Sequence, residues 1–367
     1  MRKTLLVLFV LFLVIQGCMI KNEPSDSFEF ALGLRPLPSD FLNWWFDNID
    51  LIRDGQFDSD RLPMLKSDIA SSQQVITNPV TNVSGITTYD MRNLGLVTSP
   101  KNQGSNGTCW AFSTAGSLES ALLTQLGSAE IANRYPFIPD PSNPDLSEQF
   151  IAYYDIDWDV QPSPNSQSWS LFYQETNYDN GGNAFFSTYN LIRRGVPLEA
   201  DMPYTGTDYD WMPWTATSSD WKQHLIKPEE TIVIPFYTYF SDYIDYTTYI
   251  NTIKSVLCTY GALYVGVSLY QDFYDYWNTW PTNGAVYQYD TVSSYLGGHA
   301  ILLVGWNDSF TGPFYSGPVW ILKNSWGTTR GDSGYFYLPM ITSSEFSGVC
   351  PDWKIEAQKM YAPVLAP

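Results

Sequence analysis

The chain has 367 residues, 44% of them hydrophobic, and a formal net charge of −19. That length allows two or three structural units or one large enzyme with a substantial core, and the acidic field argues against nucleic acid and anionic lipid surfaces as partners. Aromatic residues make up 16%, an excess read as core and loop packing rather than as a dedicated sugar or peptide platform.

Arg2 and Lys3 precede the apolar run 5–15. The run is too short to span a bilayer comfortably and reads as a targeting segment over residues 1–17. Ile15-Gln16-Gly17-Cys18 resembles a bacterial lipobox, which implies that Cys18 becomes the lipidated first residue of an exported lipoprotein. Two alternatives stay open: an ordinary secretory signal with Cys18 discarded or idle, and an uncleaved anchor helix. All three put the bulk of the chain outside the cytoplasm, in the cell envelope or secreted.

Residues 18–85 read as a tether and a candidate short pro-segment. Within them, 19–37 is polar and proline-containing. Ser39 suits the N-cap of a short helix carrying Phe41, Trp44, Trp45, Ile49 and Ile52, with Gly55 as its stop. Residues 56–84 have weak periodicity. A globular region, residues 86–360, follows. Its clearest helix is 110–126, with an apolar stripe of Ala111, Ala115, Leu118, Leu122 and Leu126, and Gly127 suits the position just past its end. Further helices are expected over 145–154 and 183–194, the latter ended by Gly195 and Pro197. After Thr205 the texture changes to short β-type runs at 232–234, 262–269, 285–289, 299–306, 319–324 and 334–338. Helices over about 86–205 and strands over about 206–360 predict an α+β protein with two packed halves.

Cys109 lies where a loop turns into the apolar helix. A helix N-terminus carries partial positive charge and unpaired N–H groups, which favour the nucleophilic thiolate. Gln103 is close enough upstream to aim an amide donor at the same spot, the start of an acyl-transfer site. The chain has two histidines. His224 lies in a polar, tryptophan-rich stretch without a motif and reads as a surface residue. His299 opens a buried strand, where a structural role is the default, yet it is the one credible base for Cys109. A thiol and an imidazole in contact exchange a proton to give an ion pair that attacks carbonyl carbon. Asn324, at the end of the next strand, suits a residue that orients the imidazole.

Gln103-Gly104, Cys109-Trp110-Ala111-Phe112-Ser113, Gly298-His299-Ala300 and Asn324-Ser325-Trp326-Gly327 resemble the signature blocks of papain-like cysteine peptidases. Tyr89-Asp90-Met91-Arg92 resembles the usual start of the mature enzyme. Leu146-Ser147-Glu148-Gln149, Asn180-Gly181-Gly182 and Met202-Pro203-Tyr204 follow in the family order. The resemblance implies a papain-like α+β fold: a helical N-terminal half, a C-terminal antiparallel β-barrel-like half and an active-site cleft between them. It implies peptide-bond hydrolysis with Cys109 as nucleophile, His299 as general base and acid, and Asn324 orienting His299. The Gln103 side chain and the Cys109 backbone N–H would form the oxyanion hole, and Trp326 would cover the Asn324–His299 hydrogen bond. Gly107, Gly181, Gly182, Gly298 and Ala300 become candidate substrate-binding positions, the paired glycines because a side chain there would block an extended peptide. Glu119 and Glu148 fall where the family keeps interior carboxylates. No metal or organic cofactor is implied, and no Cys-x-x-Cys or His-x-x-x-His spacing occurs. Expected partners are protein or peptide substrates and a membrane reached through the lipid on Cys18, with no nucleic acid and a monomeric chain.

The departures are specific. Asn106 stands where the family has a cysteine three residues before the nucleophile, and Asp179 stands at the usual partner position. A further family cysteine is replaced near Tyr154. Cys350 resembles a family half-cystine without its usual partner, so a Cys258–Cys350 bridge stays open. Arg330 replaces a second tryptophan, which calls the solvent shielding of Asn324 into question. Cys109 and His299 are 190 positions apart (299 − 109), against about 130–150 in this family, so insertions are expected at 127–145 and 206–245. Two other readings remain at this level: a non-catalytic peptide-binding or adhesion protein, and a different Cys–His hydrolase or acyltransferase.

Overall fold

The computed structural model describes residues 32, 34, 73–75, 82–154, 181–206, 221–237, 244–279, 286–289 and 292–366. The targeting segment, Cys18, the helix expected after Ser39, Asp179 and Asn180 lie outside the described residues.

Two short strands come first, β1 (Gln73–Val75) and β2 (Thr88–Asp90). Asp90 then caps α1 (Met91–Leu94) by accepting the Arg92 N–H at 3.0 Å. The central helix α2 (Cys109–Ala121) is buried along its whole length, polar residues included. It runs into a single π-helical turn, Leu122–Leu126, and then α3 (Gly127–Arg134). Gly127 is therefore a break between helices rather than a stop: its φ of +72° redirects the chain, a conformation that glycine adopts cheaply. The widened turn carries Gln125, whose amide donates to the carbonyls of Tyr260 and Pro363 and accepts the Leu365 N–H. Helices α4 (Glu148–Tyr154) and α5 (Ala184–Arg194) follow close to the expected positions.

The second part starts with β3 (Glu230–Ile234) and then holds a helix that the sequence analysis did not identify, α6 (Tyr246–Tyr260). Asp245 caps it through the Thr248 N–H at 2.9 Å, and Tyr249, Ile250, Ile253, Val256 and Leu257 are buried at helical spacing. Next come β4 (Leu263–Tyr270) and a second unanticipated helix, α7 (Gln271–Asn278). Strands β5 (Tyr295–Thr311), β6 (Ser316–Lys323) and β7 (Tyr335–Pro339) precede the short α8 (Ser343–Phe346), and β8 (Met360–Val364) ends the series. Residues 286–289 are not a strand: Tyr287 makes one backbone bond, to the Tyr337 carbonyl.

The strands form one sheet in the order β1-β3-β8-β4-β5-β6-β7, with β2 also paired to β5. All ladders are antiparallel except β1–β3. The sheet is open among the described residues: β1 covers the edge of β3, β7 pairs with β6, and no ladder joins the two ends. The barrel-like expectation is corrected to that extent. Two buried clusters divide the interior. One joins α2 to α4, α5 and Leu146, with Tyr264 and Ala300 from the sheet. The other joins α6 and α7 to the remaining faces of β4–β7. Successive strand side chains point to opposite faces, so Ala300 contributes to the helical cluster and Ile301 to the other. No helix among the described residues is long and apolar enough to cross a membrane.

Candidate active site

Gly104 turns the chain at φ +64°, and Thr108 precedes the first residue of α2, Cys109. The Thr108 carbonyl accepts from Ala111 N at 2.9 Å and Phe112 N at 3.3 Å, which starts the helix. Cys109 is wholly buried, and its Sγ accepts the Ala300 N–H at 3.4 Å. The register of β4 and β5 puts His299 opposite Val267 and Ala300 opposite Gly266. The thiol therefore meets the β5 backbone one residue from the imidazole.

His299 is also wholly buried. Its Nε2 lies 2.8 Å from Asn324 Oδ1, and that oxygen also accepts the Ser325 N–H at 2.8 Å. The main-chain donor identifies the Asn324 atom as the acceptor, so Nε2 carries a proton. In the neutral ring Nδ1 then holds a lone pair. Nδ1 is buried without a hydrogen-bond partner. Burial pulls the imidazole down to about 4, against the opposing hydrogen bond to Asn324, so the covered site favours the neutral ring over imidazolium.

Asn324 follows β6, held by its own N–H to the Gly334 carbonyl at 3.0 Å. Trp326 stacks on the His299 ring at 4.7 Å. Asn324 is only 2% exposed, which answers the question raised by Arg330. Helix α7 supplies the cover: Tyr274 stacks on Trp326 at 5.3 Å and Trp277 meets it edge-on at 5.6 Å. A Cβ at Gly331 would come within 2.6 Å of the Trp277 ring, so α7 has filled this space from another part of the chain.

Gln103 is wholly buried and stitched to the same loop. Its N–H donates to the Ser325 carbonyl at 2.8 Å, and its side-chain oxygen accepts the Ser325 hydroxyl at 2.5 Å. Its Nε2 donates to the Asn106 carbonyl at 2.8 Å. Cys109, His299, Asn324, Gln103 and Trp326 thus come together around one point.

The glycine positions divide. A Cβ at Gly182 would lie 2.5 Å from Trp110 ring carbons, so the indole demands this glycine from the protein side. Gly181 has φ +83°, and Gly107 is buried beside Thr108. Leu34 occupies the opposite side of Gly298. It bridges Gly182 and Gly298, donates its N–H to the Gly298 carbonyl at 3.1 Å and would be met by a Cβ at Gly298 at 2.9 Å. Its side chain reaches Gly266, where an added Cβ would be 2.6 Å from Leu34 Cδ2. No motif signalled Leu34.

Behind Asn324 lies a buried charge cluster. Lys101 Nζ reaches Glu119 at 2.9 Å, Glu148 at 2.7 Å and Asp145 at 2.6 Å. Glu119 also accepts from Thr98 Oγ1 and Leu146 N. Burial alone would raise the Glu119 carboxyl, but Lys101 and Lys323 hold it below the ordinary range, while burial lifts Glu148 to about 8. The sequence marked the two carboxylates and missed both lysines, which lie in separate motif blocks.

Two further expectations are decided. Cys258 and Cys350 are free thiols, so they do not form a bridge. His224 is not a plain surface residue: its Nδ1 lies 2.7 Å from Asp201 Oδ2, and its ring stacks on Phe137 at 4.8 Å. No cluster of metal-ligating side chains occurs among the described residues.

The family model for papain family cysteine proteases matches residues 86–133 and 173–357. The probable cysteine protease RD19C of Arabidopsis thaliana is 30% identical over 271 residues, which cover 71% of this chain and 58% of that protein. Cysteine proteinase 15A of Pisum sativum is 30% identical over 274 residues, 73% of this chain and 61% of that protein. The matches thus span about six tenths of the relatives' own length. A solved structure of digestive procathepsin L2 proteinase from Tenebrio molitor aligns with a TM-score of 0.49 at 19% identity, covering 89% of this chain and 90% of that one.

Proposed function

Because the chain belongs to the papain family of cysteine proteases, we propose that it is an exported cysteine peptidase working through Cys109, His299, Asn324 and Gln103. The observation that carries this reading is the junction of α2 with β5, where Cys109 Sγ takes the Ala300 N–H and the neighbouring His299 is tied through Nε2 to Asn324. With Nε2 protonated, Nδ1 is the basic nitrogen. It takes the proton of the Cys109 thiol as sulfur attacks the peptide carbonyl. The Gln103 amide and the Cys109 N–H hold the oxyanion, a type of contact worth about 2.7–4 kcal/mol in the transition state. Nδ1 returns the proton to the leaving amine. His299 then deprotonates a water that attacks the thioester, giving the carboxylic acid and restoring the thiol. No metal or cofactor takes part in this scheme.

In this reading a helical half and a β half hold the substrate cleft between them, along Gly181, Gly182, Gly298 and Ala300. Residues 18–85 act as a pro-segment, supported by the seating of Leu34 against Gly182 and Gly298. Cys18 carries a lipid anchor, and cleavage after the pro-segment would release the enzyme from the membrane.

An epoxysuccinyl active-site probe tests the central claim. Labelling and peptide hydrolysis that are both lost in Cys109→Ala support it. A chain that binds peptides but neither labels nor cleaves them is a binding protein, and transfer of the acyl group to added amines in preference to water marks an acyltransferase. Accumulation of a shorter soluble form in the wild type but not in Cys109→Ala tests the pro-segment, and identical processing in both sinks that part.

A further inference from the structure

An oxyanion donor works only if its amide is held still. In Gln103 the oxygen is held by the Ser325 hydroxyl and Nε2 by the Asn106 carbonyl, so the orientation of the planar amide follows the position of that carbonyl. The Asn106 carbonyl also accepts the Thr108 N–H at 2.8 Å. What fixes Asn106 itself lies far along the chain. Its side-chain Nδ2 donates to the Gly206 carbonyl at 2.7 Å, and Gly206 sits at φ +66° with an ideal Cβ only 3.2 Å from that nitrogen.

Tyr204, two residues before Gly206, holds both ends of the same loop. Its hydroxyl donates to the Gln103 carbonyl at 2.8 Å and lies 2.7 Å from Thr108 Oγ1. A phenol has one proton. With that proton on the Gln103 carbonyl, Thr108 must donate to Tyr204. Thr108, at the N-cap of α2, makes no side-chain cap bond to its own helix. The anchoring segment is secured in turn. Tyr204 N donates to Glu199 at 2.6 Å, Thr205 N donates to Gln149 at 3.1 Å, and the Tyr204 ring packs edge-on against Phe112 at 4.8 Å.

We propose that Asn106 and Tyr204 are positioning residues for the Gln103 oxyanion donor, forming a hydrogen-bonded clasp between the loop before Cys109 and the segment 204–206. Asn106 stands at the position of a family cysteine, and its side-chain amide ties the loop to Gly206. Neither residue touches the reacting atoms. Each acts through Gln103. The inference rests on the peptidase reading for its kinetic consequence and on the hydrogen bonds alone for its geometry.

The test uses the full chain as purified, with Tyr204→Phe, Asn106→Ala and the double variant. Tyr204→Phe keeps the ring and its contact with Phe112 and removes only the hydroxyl. Three quantities are measured: kcat/KM for a peptide substrate, Ki for a reversible peptide aldehyde, and the rate of Cys109 alkylation by iodoacetamide. The aldehyde forms a covalent adduct with sulfur whose oxygen sits in the oxyanion hole. Alkylation needs Cys109 and His299 but builds no oxyanion. Each single variant should lower kcat/KM by about tenfold and raise the aldehyde Ki in proportion, with alkylation unchanged. The double variant should lose less than the product of the two, because both residues hold one loop. Equal losses in hydrolysis and alkylation, or no loss in either variant, overturn the clasp. If Asn106→Ala does not fold, Tyr204→Phe decides alone. If the wild type alkylates but hydrolyses no peptide, the peptidase reading fails, and the aldehyde Ki measured against alkylation still judges the clasp.

Discussion

Asn324 Oδ1 lies 2.8 Å from His299 Nε2 and accepts the Ser325 N–H at the same distance. One amide oxygen therefore selects the imidazole tautomer, and the adjacent main chain guarantees that it is the oxygen that points at the ring. Replacing Asn324 with Ala removes the acceptor and leaves a buried Nε2–H unpaired. The ring is then free to take the other tautomer, with Nδ1 protonated and useless as a base. We expect kcat/KM to fall by about a hundredfold with the fold retained, measured as peptide hydrolysis beside a circular dichroism melt. Unchanged hydrolysis would remove Asn324 from the mechanism.

Burial of His299 links the site to acid stability. Its ordinary value is 6.5, and the folded protein holds it at about 4. The unfolded chain therefore takes up this proton at higher pH than the native state. The contribution to stability is whole above about pH 6.5 and is lost as the pH falls through about 4. At about 1.4 kcal/mol per unit, the loss is of order 3 kcal/mol. Urea unfolding of wild type and His299→Gln at pH 7 and pH 4 should show the wild type losing more stability by roughly that amount. Parallel losses in the two would mean that the ring is solvated in the native state.

Lys101 is the shared cation of three carboxylates, two of them with side chains no more than 2% exposed. Lys101→Met leaves Glu119 and Glu148 beside each other without it. Removing one partner of a buried pair costs about 3–5 kcal/mol. The variant should unfold at clearly lower urea concentration, and its stability should improve as the pH falls from about 8 towards 4.5, because the folded protein keeps the Glu148 proton that the unfolded chain has released. A midpoint equal to that of wild type would show the cluster to be idle.

The cysteines give a simple control. Cys258 and Cys350 are both free, and burial pushes the Cys258 thiol up to about 11 and Cys350 further. Thiols so raised are protonated and slow to oxidise at neutral pH. Melting temperature should be the same with and without reductant. A drop of several degrees on reduction would reveal a bridge.

The legible parts of the fold were those written in local pattern. The stripe from Ala111 to Leu122 announces α2, and Gly195 with Pro197 marks the end of α5. Helix α6 was equally legible in principle, from the Asp245 cap and the spacing of Tyr249, Ile253 and Leu257, but its aromatic and β-branched residues look like strand material one at a time. Strands β2 and β8 are short and take their identity from the strands beside them, as in the pairing of Tyr89 with Trp306. Gly127 carries a true conformational signal whose meaning, break or end, depends on what packs beyond it.

By itself, the order of residues singled out the groups proposed to carry the chemistry: one thiol at the mouth of a helix, one imidazole on a buried strand, and the amides of Gln103 and Asn324. These follow from side-chain type and from neighbours within a turn or a strand. Tertiary structure alone decided that Nδ1 of His299 is the basic nitrogen, that α7 covers Trp326, that Cys258 and Cys350 stay apart, and that Tyr204 grips the loop before Cys109. Each of these depends on atoms brought together from distant parts of the chain by sheet register and close packing, and a hydrogen bond or a ring contact exists only within a few ångströms.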